Sequence, residues 1–138
     1  MHTASDILPS RIFRLAAIYG VIVLLPLLFV ETCYGLDNPP AVTHPEFYYG
    51  FTTSALAWQV VFWIIGSDPV RFRPLMPAAA IEKFVWGLVA FGLPLAGRPV
   101  PVSIQVFAVI DTLLGIAFLY AWSKTGASQR TGAVANAR

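Results

Sequence analysis

The chain has 138 residues, of which 57% are hydrophobic and 12% charged, with a formal net charge of +2. A soluble domain carries about 25% charged residues, and a chain this short could not hide so much apolar surface from water. The composition excludes a soluble fold, and basic residues spaced between apolar blocks argue against nucleic-acid binding, which needs a clustered basic face.

Residues 1–10 form a short polar N-terminal lead. Arg11 and Arg14 then flank an apolar run from Ile12 to Val30 that opens a first span, about 12–33. A cleaved signal peptide would have a shorter apolar core and a small-x-small site, whereas Glu31, Thr32, Cys33 and Tyr34 follow here. Glu31 also stands where a lipoprotein box wants a small residue. The run is therefore expected to be an uncleaved helix. Pro26 should bend it and leave a carbonyl one turn earlier without its donor. Cys33 is the single cysteine, so no intrachain disulfide can form.

Residues 35–46 read as a loop, because Pro39-Pro40 and His44-Pro45 block helix and sheet alike. A second span, 47–66, stops at Ser67-Asp68-Pro69, and a basic turn with Arg71 and Arg73 follows. The third span, 77–96, is the apolar stretch PAAAIEKFVWGLVAFGLPL and its end. Gly97 to Pro101 is a tight connection to the fourth span, 102–122. The tail, 124–138, is rich in Gly, Ala and Ser, and is expected to be disordered. The spans form one domain, 11–123, with no repeat.

Arg11, Arg14, Arg71, Arg73, Lys124, Arg130 and Arg138 would share one side of a four-span chain, against Arg98 alone on the other. The positive-inside rule then places both termini in the cytoplasm. Tyr34, Phe47, Tyr48 and Tyr49 mark the outer boundary, and Tyr120 and Trp122 the inner one. Lipid tolerates no open sheet edge, so the expected fold is all-α, an antiparallel four-helix transmembrane bundle.

A charge near the middle of a membrane helix costs about 2.5–3.5 kcal/mol, so Glu82, Lys83 and Asp111 need partners. At 1.5 Å per residue, Asp111 lies near the centre of its span, Glu82 and Lys83 roughly 6–8 Å to the cytoplasmic side, and Gln59 roughly 4 Å to that side. Lys83 shares its helical face with Ala79, Ala80, Gly87 and Ala90, and Asp111 is flanked by Ala108 and Gly115. Two lean faces allow close approach, so Lys83 is expected to meet Asp111. Glu82 projects about 100° away, with Arg71, Arg73 or Gln59 as candidate partners. This group is either a polar knot that fixes helix register or a proton-handling or ligand-binding centre.

Glu31, Asp37, His44, Glu46, Tyr48 and Tyr49 gather near the outer rim. His44 and Glu46 are weak as metal ligands on a Pro-broken loop, and an interfacial loop whose acids meet Arg98 and water accounts for them. Glu31 ends an apolar run and could face a cavity opening outward. No metal or other cofactor is expected. Haem ligation would need a histidine within the bilayer, and voltage sensing a row of arginines. Neither a phosphate-cradling glycine loop nor a nucleophile elbow occurs. A small multidrug transporter places its glutamate mid-helix, and Glu31 sits at an edge.

Between Phe47 and Lys83 the pattern Tyr48-Tyr49-Gly50-Phe51, Trp58-Gln59, Asp68-Pro69, Arg71, Arg73-Pro74 and Glu82-Lys83 resembles a group of small bacterial four-helix integral membrane proteins with no assigned activity. That resemblance implies architecture and a bacterial inner-membrane setting. The layout is also similar, more faintly, to the emopamil-binding (EXPERA) family: an acidic residue ends the first helix, Pro45-Glu46 precedes the second, and a polar residue lies within it. That likeness implies an intramembrane cavity for a sterol-like ligand. Two functions follow from the sequence. One is a non-catalytic accessory or structural membrane component with a buried polar knot. The other is a binder or small intramembrane enzyme for a lipophilic ligand held by Glu31, Gln59, Glu82, Lys83 and Asp111. The partners are the lipid bilayer and either another membrane protein or that ligand, and a roomy chamber at Lys83 would favour the second function.

Overall fold

Proline placement divides the first third of the chain. In the computed structural model, α1 (Ala4–Leu24) runs into a 3-10 segment, Leu25–Phe29, with Pro26 in its first turn. Helix resumes as α2 (Glu31–Asp37) only after Val30, at φ −121° and ψ 20°. Where the sequence predicts one bent span over 12–33, the chain forms three pieces. Pro26 has no N–H to give, and the tighter i→i+3 turns that follow do not recover the α register. The Leu27 carbonyl is bonded instead by the Tyr48 hydroxyl, at 2.8 Å. The loop starts later than the sequence predicts, because Asn38 closes α2 with two bonds to the Tyr34 carbonyl, from its backbone N–H and its side-chain amide.

α3 (Pro45–Ser67) begins on Pro45, a good first helical residue because its missing N–H would be unpaired there anyway. Asp68-Pro69 ends it, with the Asp68 carboxylate accepting the Arg71 N–H at 3.1 Å. A 3-10 turn, Arg73–Leu75, leads into α4 (Met76–Leu95). Gly97, at φ 74°, closes α4: its N–H reaches the Pro94 carbonyl and the Arg98 N–H reaches that of Leu93, both at 3.0 Å. This is the paired C-terminal cap that a left-handed glycine permits.

α5 (Val102–Asn136) carries its helical backbone past Lys124, into the stretch expected to be disordered. No proline interrupts this stretch, and adding a residue to an existing helix is far easier than starting one. The structure describes the backbone of residues 4–39 and 41–136 and the side chains of 7–39 and 41–125. Residues 1–3 of the lead, Pro40 of the loop and residues 137–138 of the tail lie outside the described residues.

The helices pack as two antiparallel pairs, α1 with α3 and α4 with α5, joined by contact between α1 and α5. Although adjacent in sequence, the α3 and α4 backbones barely approach each other, and Phe51 meets Trp86 between them with ring centroids 5.0 Å apart. Small residues set the α4–α5 spacing: Ala79, Ala80, Ala90 and Ala108 are buried. A Cβ on Gly87 would stand 2.7 Å from the Thr112 hydroxyl, and one on Gly115 would stand 2.9 Å from the Phe84 ring.

The dense core lies toward the end that carries the arginines. Phe13 stacks on Phe118 with ring centroids 4.2 Å apart, and Phe62 meets Phe118 edge-on at 5.0 Å. Ile65, Met76 and Ala121 belong to the same cluster, with Ala16, Ala17, Ala79 and Ala80. Outside it the molecule is greasy: Leu88 is 74% exposed and Phe29 81%. Apolar surface on this scale needs hydrocarbon around it. Among the described residues, Ile7–Phe29, Arg73–Leu95 and Val102–Thr125 are long and apolar enough to cross a bilayer. The protein is an all-α integral membrane protein. α3 has the length, but Thr52, Thr53, Ser54 and Gln59 lower its hydropathy.

Candidate functional site

Lys83 is drawn inward by the close seam between α4 and α5. Its ammonium lies 3.2 Å from Asp111 Oδ1 on α5 and 3.4 Å from Glu82 Oε2 on its own helix. It also sits 5.3 Å from the centroid of the Phe62 ring, where the negative face of the π-system favours a cation. Lys83 is 6% exposed. The Asp111 contact expected from the small-residue faces is present. The partner of Glu82 differs from the sequence expectation. Both arginines of the basic turn are engaged elsewhere: Arg73 stacks over Trp122 and bonds its carbonyl, while Arg71 stacks over Phe72. Glu82 therefore turns along the helix to Lys83, the nearest cation. Its Oε2 is buried and accepts no hydrogen bond, since the ammonium at 3.4 Å is poorly aligned.

Two carboxylates thus share one ammonium, which leaves a formal excess of one negative charge when all three groups are ionised. In a medium of low dielectric such an excess is costly, and it is relieved by a bound proton or a bound cation.

These groups form the base of a cavity of about 290 Å³. Ala16, Tyr19, Gly20 and Val23 of α1 supply one wall, Phe51, Ala55 and Gln59 of α3 a second, Trp86 of α4 a third, and Ser103, Ile104 and Phe107 of α5 a fourth. Tyr34 and Asn38 of α2 stand at the end away from the arginines. Eight residues separate Ser103 from Asp111 and Phe51 from Gln59, so the chamber is about 12 Å deep. It exists because the α3 and α4 backbones stand apart above the phenylalanine cluster, where the Phe51 and Trp86 rings, 5.0 Å between centroids, reach across the space between them. An apolar chamber with a few polar groups converging at one end is the usual form of a small-molecule site.

Gln59 is wedged in this wall. Its amide donates to the Ala55 carbonyl of its own helix at 2.8 Å, and its carboxamide lies across Gly20 so closely that a Cβ there would overlap it. Of the residues singled out in the sequence, Gln59, Glu82, Lys83 and Asp111 line one chamber. Glu31 is not among its lining residues. It accepts a 2.9 Å hydrogen bond from the Tyr49 hydroxyl, so this acid meets a tyrosine and not Arg98. His44 and Glu46 pair at 3.1 Å on the surface, with side chains 68% and 65% exposed. Tyr48 braces Leu27 and packs against Tyr34. Among the described residues, no group of three His, Cys, Asp or Glu side chains could hold a metal ion.

Sequence reasoning missed Tyr19, Asn38 and Ser103 as lining residues. Ser103 and Phe107 precede Asp111 by eight and four positions, and Tyr19 follows Ala16 by three, so helical periodicity carried the signal. Asn38 had none, since its place depends on the break at Val30. The chain matches no family model, and no curated protein and no solved structure matches it significantly. The resemblances drawn from the sequence rest on the residues quoted for them.

Proposed function

We propose that this protein binds a small lipophilic molecule within the membrane, in the chamber that ends on Glu82, Lys83 and Asp111. The chamber itself is the observation that carries this reading. Closely packed side chains around Lys83 would have favoured a purely structural polar knot. Instead, about 290 Å³ of mostly apolar space abuts the charged groups. The ligand's apolar body would lie against Phe51, Trp86 and Phe107, with a polar group directed at the triad. An accessory role remains compatible with the same residues, because Lys83 also ties α4 to α5. The buried, unbonded Glu82 Oε2 favours a second reading, in which this oxygen exchanges a proton with the bound molecule.

The four-span arrangement with both termini cytoplasmic belongs to this proposal. α3 has 23 residues, and its two threonine hydroxyls are bonded to the carbonyl one turn back, Thr52 to Tyr48 and Thr53 to Tyr49. That internal satisfaction removes much of the cost of placing them in hydrocarbon. A bacterial inner membrane is the setting that the sequence resemblance implies, with the chamber mouth near Tyr34 facing outward.

The test is extraction. Protein purified in mild detergent is stripped with organic solvent, and the released small molecules are identified by mass spectrometry. The native chain should release a recurrent lipophilic species in near-stoichiometric amount, and a folded Ala55→Phe variant, which fills the chamber, should not. Identical extracts from the two would reject the reading.

A further inference from the structure

A second concavity, about 370 Å³, lies on the outside of the α1–α3 pair. Ile18, Val21, Val60 and Trp63 form its sides, and its lining is apolar apart from Gln59. Val60 is 60% exposed, so the groove faces the surroundings of the bundle and not its interior. One end is marked by charge. Arg14 precedes Ile18 by four positions and Val21 by seven, which puts all three on one face of α1, and Arg11 lies one turn further back.

Arg14 is held in place. Its stem crosses Gly66, where a Cβ would stand 2.8 Å from Arg14 Cγ, and its guanidinium lies 5.6 Å from the centroid of the Trp63 ring. The backbone here is drawn together by the Ser10 hydroxyl, which donates to the Gly66 carbonyl at 2.6 Å. Both Arg11 and Arg14 are exposed, and among the described residues neither has a carboxylate within 4 Å. Two arginines with no carboxylate partner among the described residues therefore head an apolar channel, at the end of α3 where its span stops.

We infer that this groove binds one anionic phospholipid, with the phosphate on Arg14 and Arg11 and an acyl chain along the face formed by Ile18, Val21, Val60 and Trp63. The order of charge and grease along α1 matches the order of head and tail in such a lipid. Arginine suits a phosphate because its planar fork donates two parallel hydrogen bonds. A second copy of this chain is a poorer occupant, since a symmetric contact through this face would bring like arginines together. The inference does not depend on the inner chamber.

Trp63 makes the site testable. With Trp58, Trp86 and Trp122 replaced by Phe, the full chain is reconstituted in phosphatidylcholine vesicles containing a fixed fraction of lipid brominated on its acyl chains. Brominated phosphatidylglycerol should quench Trp63 several-fold more effectively than brominated phosphatidylcholine. Arg14→Gln should abolish that difference, and Arg14→Lys, which keeps the charge, should retain part of it. A matching chain with only Trp122 reports lipid gathered near Arg73, and its quenching should not respond to Arg14→Gln. Equal quenching of Trp63 by the two lipids would overturn the assignment, as would a preference that survives Arg14→Gln.

Discussion

Lys83 and Asp111 meet at 3.2 Å across the α4–α5 seam, yet the ammonium is not theirs alone, because Glu82 approaches it at 3.4 Å from the adjacent position. Sharing one cation between two acids sets an order of severity for substitutions. Lys83→Met strands both carboxylates and should be the worst single change, with a loss of about 3–5 kcal/mol. Asp111→Asn leaves a neutral Glu82–Lys83 pair and should cost less, about 1–3 kcal/mol. The double change Lys83→Met, Asp111→Asn should cost less than the sum of the two single losses, and thermal unfolding in detergent reads all three. Strictly additive losses would show that the two residues are not coupled.

Gly20 and Gln59 set a second test, in the wall between the two concavities. Gly20→Ala places a methyl group where the Gln59 carboxamide lies, so the amide must swing away or α1 must shift. The expected loss is about 1–3 kcal/mol, as for other overpacked sites. Adding Gln59→Ala should relieve most of it, because Gln59 bonds only to its own helix. If the double variant is no more stable than Gly20→Ala, the clash is not the cause.

How much of this was legible in the sequence varies by residue. Helical period and small-residue spacing were enough to bring Lys83 to Asp111, because both are local properties of a single helix face. The partner of Glu82 was not legible, since it turned on Arg73 finding the Trp122 carbonyl and ring, a contact between distant segments. The chamber was beyond reach for a related reason. It arises from the gap between α3 and α4, and no pattern within either helix encodes how far apart they stand. Pro26 announced a bend, but not the full interruption at Val30, beside which the Tyr48 hydroxyl bonds the Leu27 carbonyl from a distant segment.

That last contact gives a third prediction. Tyr48→Phe removes the donor to the Leu27 carbonyl and keeps the ring against Tyr34. A loss of about 0.5–1.5 kcal/mol is expected, with faster amide exchange across Leu25–Asp37 in hydrogen-exchange mass spectrometry. Unchanged exchange in that segment would mean that the bond does not hold it.

Orientation is open to a direct check. With Cys33 replaced by Ser, single cysteines at Ala41 and Ser128 should react with a membrane-impermeant maleimide from opposite sides of the membrane. Labelling of both from the same side would reject the four-span reading.

Phe13, Phe62 and Phe118 bear on what kind of traffic the molecule can carry. Their interlocked rings make the space above them a blind alley, and Lys83 lies directly against one of them. If the chamber holds a guest as proposed, its passage from one aqueous face to the other would require those rings to part.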